Sequence, residues 1–356
     1  MNVLSFFSGA GGLDRGFEHA GFEVSWANEY DKTIWDTYRH NFPKTVLDGR
    51  SIVQIEVDEV PECDGMIGGP PCQSWSEAGS LRGIDDARGQ LFFEYIRIIK
   101  SKRPIFFLAE NVSGILFNRH RDAFKTILGN FSRLGYNVSY GLLNANDFGV
   151  PQDRERVIIV GYLAQTKKFF TPPAMNDSRP TLEAIRDLAN SAVPAIDKNS
   201  ANNCLEIPNH EYMTGGFSTI FMSRNRVRPY SRPSFTIQAG GRHAPIHPQA
   251  PEMIAVGKDE RIFAPGMEET YRRLTVRECA RIQTFPDDHI FLYKKVADGY
   301  KMVGNAVPVT FAEQLAIKIK ADLKGLSKID RGPLIVGEIR GPDFKVDPKK
   351  EMSFLD

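Results

Sequence analysis

Cysteine is scarce here and never paired. The four cysteines, Cys63, Cys72, Cys204 and Cys279, stand far apart with no CxxC spacing. That argues against a zinc site or a disulfide framework, and for a reducing compartment. No metal is expected. No apolar run approaches the length of a membrane span. The opening residues, Met1-Asn2-Val3-Leu4-Ser5-Phe6, lack a basic region and a cleavage site, so no secretory signal and no membrane partner are expected. A net charge of +1 excludes a globally basic protein. One absence is local: residues 212–251 contain no Asp, Glu or Lys, yet hold Arg224, Arg226, Arg228, Arg232 and Arg242. Solvated faces usually mix signs, so a one-sign strip on a near-neutral chain points to an anionic partner at one surface.

What is present suits two domains, since 356 residues suffice for a sizeable core and 42% hydrophobic content is ordinary for a globular protein. Residues 3–7 read as an apolar strand, followed by Ser8-Gly9-Ala10-Gly11-Gly12 and a helical pattern through Leu13, Phe17 and Ala20. A second strand over residues 22–27 leads to Asn28-Glu29-Tyr30-Asp31, and a helix is expected over 32–41. Strand, glycine turn, helix, strand and acid open a doubly wound α/β sheet. Gly9 and Gly11 fit the first two positions of a GxGxxG turn, but Asp14 stands at the third. A nucleotide-like cofactor with its ribose on Glu29 fits this pattern. So does any tight strand-to-helix turn.

A third strand is expected to end near Ile67, bringing Gly68-Gly69-Pro70-Pro71-Cys72-Gln73-Ser74-Trp75-Ser76 to the carboxyl edge of the sheet, where ligands of open α/β sheets bind. A cysteine behind two prolines reads as a mounted nucleophile, or as a small core hydrophobe. The loop 73–90 carries Gly79, Gly83 and Gly89 and is suited to closing over a substrate. A helix follows over 91–100. The apolar run 105–109 reads as a central strand, with Glu110 directly after it on the same edge. Late strands are expected over 138–143 and 157–162. Between them Gln152-Asp153-Arg154-Glu155-Arg156 is either functional or a solvated charged turn. Composition shifts over 164–180, which places a boundary there. Thr275 is expected to cap a helix in which Cys279 is core, and Gly304-Asn305-Ala306-Val307-Pro308 to open a last helix over 309–323. The charged tail from Gly325 is expected as a loosely packed extension. The resulting division is 1–165 catalytic and cofactor-binding, 166–285 recognition, 286–325 a return to the first unit, and 326–356 an extension.

The set of motifs Phe7-Ser8-Gly9-Ala10-Gly11-Gly12, Gly69-Pro70-Pro71-Cys72-Gln73-Ser74, Glu110-Asn111-Val112, Gln152-Asp153-Arg154-Glu155-Arg156, the segment 273–286 and Gly304-Asn305-Ala306-Val307-Pro308 resembles, in order and over nearly the whole chain, the DNA cytosine carbon-5 methyltransferases. The resemblance implies a Rossmann-like S-adenosylmethionine-dependent methyltransferase domain with a smaller irregular target-recognition domain. It implies S-adenosylmethionine as cofactor, with S-adenosylhomocysteine as product. Double-stranded DNA is then the partner of a monomer in the prokaryotic cytoplasm. The variable stretch, with Phe221-Met222-Ser223-Arg224-Asn225-Arg226-Val227-Arg228 and His247-Pro248-Gln249-Ala250-Pro251, is similar to that of members that modify GGCC at the internal cytosine. A cognate restriction endonuclease acting on the same site would accompany such an enzyme.

By that resemblance Cys72 adds to carbon 6 of cytosine. Glu110 donates to ring nitrogen 3, and Arg156 with Arg154 holds the carbonyl oxygen. The target cytosine must leave the stack to be reached. Phe7, Gly9, Gly11 and Gly12 lie near the methionine part of the cofactor, Glu29 on the ribose and Tyr30 against the adenine. Asp48 and Ile52 stand in the region where the family carries Gly-Asp-Ile, a departure here, and Pro71, Leu91, Asn305 and Val307 line the rest. Ser74, Ser76 and Arg88 on the loop, with Arg224, Arg226, Arg228 and Arg242, are expected to meet DNA. Alternatives are an RNA (tRNA) methyltransferase of the same fold, an inactive DNA-binding relative, and a nicotinamide dehydrogenase suggested by the glycine turn alone.

Overall fold

The computed structural model describes residues 1–71, 87–202, 204–326 and 331–342, with only the backbone of 87–89. The chain runs β1 (Asn2–Phe6), α1 (Gly12–His19), β2 (Glu23–Asn28), α2 (Trp35–Asn41), β3 (Val46–Asp48), β4 (Gly65–Gly68), α3 (Ala87–Lys102), β5 (Phe106–Val112), α4 (Arg121–Arg133), β6 (Tyr136–Asn144) and β7 (Glu155–Leu163). The second half adds the short strands β8 (Val193–Pro194), β9 (Glu211–Tyr212), β10 (Ile254–Gly257) and β11 (Glu260–Ile262). After them come α5 (Val276–Ile282), α6 (Val296–Asn305), α7 (Val309–Asp322) and β12 (Ile339–Arg340).

Eight strands form one sheet in the order β12-β6-β7-β5-β4-β1-β2-β3. All its pairings are parallel except those of β7, which is antiparallel to both β5 and β6. Alternate side chains point to opposite faces. Leu4, Phe6, Phe107 and Ala109 therefore face α3 and α4, while Val3, Phe106 and Leu108 face α1 and α7. α1 and α7 touch at Gly16, where a Cβ would stand 2.4 Å from the Ala312 Cβ and 2.6 Å from the Val309 carbonyl oxygen. A third apolar cluster, built from α5, α6 and Leu274, Phe285 and Phe291, carries the less regular residues between β7 and α7.

Four expectations change. β3 intervenes, so the strand ending near Ile67 is the fourth in the chain. Glu110 lies inside β5 rather than after it, because β7 keeps pairing as far as Val112. α6 was not anticipated: Gly304-Asn305 closes that helix as well as preceding α7. Part of the tail is also docked. Over 331–342, Ile339 pairs with Val138, Arg331 donates to the carbonyls of Lys102 and Cys63, and Ser132 and Gly337 bond reciprocally. The sheet edge at β6 offers unpaired backbone groups that such a segment can satisfy.

Candidate active site and DNA-facing surface

Sheet register puts the predicted residues in one rank. Asn28, Phe6, Gly68, Ala109 and Ile159 are successive partners across β2, β1, β4, β5 and β7. One residue further along each parallel strand stand Glu29, Phe7, Gly69 and Glu110. Neighbouring strands lie 4.7–4.9 Å apart, so the Glu29 and Glu110 backbones are roughly 14 Å apart. Two carboxylates at that spacing serve different parts of a ligand set.

At the β1 end the chain turns sharply: Phe7, Gly9 and Gly11 have φ of 54°, 55° and 82°. Gly9 NH donates to Glu29 Oε2 at 2.9 Å, and Asp31 NH to Oε1 at 2.7 Å. Glu29 thus ties the turn after β1 to the turn after β2. Burial pushes its carboxyl up, while those two N–H groups pull it down. A Cβ on Gly9 would meet nothing within 4 Å among the described residues, whereas one on Gly11 would stand 2.1 Å from the Phe42 ring. The turn is backed by protein on one side and open on the other. Ser8 Oγ is buried there without a hydrogen-bond partner among the described residues. Tyr30 is 69% exposed, as an aromatic platform for a flat ring needs to be. Val307 is buried, Pro71 and Leu91 are partly covered and Asn305 is exposed. This open cradle fits a nucleoside-type cofactor.

Two predicted positions are otherwise engaged. Asp48 accepts from Arg50 NH and its guanidinium. Burial would raise its carboxyl, but Arg50 outweighs it and holds the group below the usual range. Ile52 is packed in the core. Asp14, at the missing third glycine, is fully buried and accepts from Ser5 Oγ at 2.5 Å and Tyr38 OH at 2.6 Å. Burial pushes it up to about 7 despite those bonds. The folded state therefore holds this proton more tightly than the unfolded chain, and stability should fall as pH rises from about 4 to about 7. Asp14→Asn should flatten the melting temperature between pH 5 and pH 7.5. An unchanged slope in the variant would assign it to other groups.

At the β5 end Arg156 Nε donates to Glu110 Oε1 at 2.8 Å. Arg156 pairs directly with Val112, so the contact with Glu110 is a diagonal cross-strand pair. Glu110 Oε2 stands beside Gly69: a Cβ there would be 3.4 Å away. Asn111 Nδ2 donates to the Pro70 carbonyl at 3.2 Å, which fixes the lead into Cys72. Cys72, Ser74 and Ser76 lie outside the described residues, as does the side chain of Arg88 on α3.

Arg154 differs from expectation. It is 2% exposed, and its guanidinium donates to the carbonyls of Ile237, Gly304 and Ala306. It is turned onto backbone, not toward a base. Gln152 is fully buried as well, so this stretch is not a solvated turn. Sequence reading missed the partner of Gln152, Gln283, and also the Asp31–Lys301 ion pair. An uncharged residue beside a helix end gives no sign of its partners.

The arginine strip divides in two. Arg226 donates to the carbonyls of Phe221 and Ile220. Arg228 pairs with Asp153 and lies over the Phe235 ring. Arg224 and Arg242 are exposed and make no hydrogen bond or ion pair among the described residues. No group of three metal-ligating side chains occurs among the described residues, and none of their helices is long and apolar enough to cross a membrane.

A mostly parallel sheet with an antiparallel β7, a glycine turn after β1 and an acid after β2 defines a Rossmann-like methyltransferase. A putative DNA modification methyltransferase encoded within an E. coli prophage shares the fold, with a TM-score of 0.69 at 22% identity over 91% of this chain and 99% of its own. Within that class, the chain belongs to the C-5 cytosine-specific DNA methylase family, whose profile matches residues 1–321. The type II methyltransferase M.MthTI of Methanothermobacter thermautotrophicus is 56% identical over 92% of this chain and 99% of its own. M.FnuDI of Fusobacterium nucleatum is 54% identical over 93% and 97%. The chain is a DNA (cytosine-5-)-methyltransferase of the restriction-modification type, and its family uses S-adenosylmethionine.

Proposed function

We propose that this chain methylates carbon 5 of the internal cytosine of GGCC in duplex DNA, after that cytosine has been flipped out of the stack. It would act as the modification partner of an endonuclease for the same site. The observation that carries the chemistry is the Glu110–Arg156 pair, set one strand from Gly69 at the start of the run to Cys72. The target assignment rests on the variable stretch, which resembles that of the HaeIII modification methyltransferase.

Cytosine carbon 5 is a weak nucleophile. The Cys72 thiolate bonds to carbon 6, and the ring electrons move to make carbon 5 enamine-like. Glu110 donates a proton to nitrogen 3, and Arg156 stabilises charge on the carbonyl oxygen. The Gly9–Gly11 turn, Glu29, Tyr30 and Val307 would hold S-adenosylmethionine, which would supply an electrophilic methyl group to carbon 5 and leave as S-adenosylhomocysteine. Loss of the carbon-5 proton then restores the carbon 5–carbon 6 double bond and expels the Cys72 thiolate, while the nitrogen-3 proton returns to Glu110. Flipping costs a few kcal/mol of unstacking.

Arg224 and Arg242 face outward and read guanines, while Arg226 and Arg228 shape the segment that carries them. Arg224→Ala and Arg242→Ala should each cost about 1–3 kcal/mol of discrimination against a mismatched base pair. Competition binding with single-mismatch duplexes measures it, and equal losses on all sequences would make these arginines phosphate contacts. Sequencing 5-methylcytosine in DNA from cells expressing the chain tests the proposed function directly. Methylation confined to another motif would remove the GGCC assignment.

A further inference from the structure

α6 is shared between the two ligands. Its C-terminal turn, residues 304–307, runs into the cofactor cradle through Asn305 and Val307. The recognition segment 237–242 sits directly on the same helix. A Cβ on Gly304 would stand 2.3 Å from the Gln238 carbonyl group, and one on Gly241 would stand 2.6 Å from the Tyr300 ring. At Gly304 the helix meets the backbone of Gln238 and Ala239 directly, and at Gly241 the segment meets the helix through the Tyr300 ring.

Two buried side chains lock that contact. Arg154 donates to Ile237 O at 3.1 Å, on the recognition segment, and to Gly304 O at 2.9 Å and Ala306 O at 3.0 Å, on the donor-lining turn. Gln152 accepts from Ile237 NH at 2.8 Å and donates to Gln283 Oε1 at 2.7 Å. The Gln283 amide in turn donates to Val303 O at 2.8 Å and Ala306 O at 3.2 Å. Burying a guanidinium against neutral carbonyls is costly, and a fork spanning three of them fixes geometry in a way one ammonium cannot. At its other side α6 presents Lys301 to Asp31, whose N–H holds Glu29.

We propose that Arg154, assisted by Gln152, is a positioning residue that fixes the register of segment 237–242 on the donor-lining turn, so that cognate duplex and cofactor bind with positive coupling. A ligand that orders one side of the clamp lowers the cost of ordering the other. The proposal rests on reading 224–242 as the recognition segment.

The test is calorimetric titration of the full chain with S-adenosylhomocysteine, alone and with saturating duplex carrying its methylation site. Wild type should bind the product at least about fivefold tighter with duplex present. In Arg154→Lys and in Gln152→Met that ratio should fall toward one, while affinity without DNA changes less than about threefold. The double variant should lose little more than either single one, as expected for residues acting as a unit. Circular dichroism and melting curves confirm folding. If Arg154→Lys does not fold, Gln152→Met carries the test alone. A full ratio in a folded variant, or a ratio of one in wild type that binds its site, overturns the proposal. Product binding without any site-specific duplex binding would instead overturn the recognition reading beneath it.

Discussion

Replacing Cys72 with alanine is expected to abolish methyl transfer, lowering kcat by at least about 10⁴-fold, the scale on which enzymes lose activity with their nucleophile. Product affinity and duplex binding should persist, because neither the glycine turn nor the arginine strip depends on the thiol. The setting supports a mounted nucleophile. β4 is fully buried, Asn111 holds the Pro70 carbonyl, and two prolines limit the backbone that follows. Radiolabelled methyl incorporation into duplex DNA, with gel-shift binding in parallel, separates the two properties. Residual transfer within tenfold of wild type would mean that another group attacks carbon 6.

Glu110→Gln should lower single-turnover methyl transfer by about 10²- to 10⁴-fold, since an amide cannot deliver the proton that nitrogen 3 requires. Arg156→Ala should lower it by about 10²- to 10³-fold. The two side chains are in contact at 2.8 Å and each is largely buried. Removing either leaves the other without its partner, so the double variant should be less impaired than the product of the single effects. Single-turnover rates at saturating duplex and cofactor measure this without interference from binding. Strict multiplicativity would show that Glu110 and Arg156 act independently. Arg156→Lys is a poor rescue, because Arg156 also donates to the Glu155 carbonyl, and one ammonium does not reproduce the planar fork.

Much of this was legible in the residues. Apolar runs bounded by glycine turns gave the parallel strands, because strands buried on both faces read as continuous hydrophobic stretches. The Thr275 cap is a capping box with Glu278, and Cys279 is buried. What the sequence hid was long-range. Arg154 and Arg156 look alike two residues apart. Only the fold shows that one meets Glu110 across a strand while the other is enclosed by carbonyls from positions 237, 304 and 306. Arg226 and Arg228 likewise resemble Arg224, yet they are spent on carbonyls and on Asp153. The docking of 331–342 was hidden because a two-residue strand has no period to detect.

The close seating of α1 on α7 bears on how the enzyme is made. Gly12 approaches the Val307 carbonyl so closely that a Cβ would stand 2.3 Å from it, and Gly16 meets Val309 and Ala312 in the same way. The helix that follows the glycine turn is therefore packed by residues synthesised some three hundred positions later. Contacts of such separation form late and slowly. A nascent chain that has already released β1 to β7 from the ribosome still lacks the wall behind its donor cradle. On the proposed reading of the glycine turn as the donor site, methyl-donor binding should begin only when α7 has emerged.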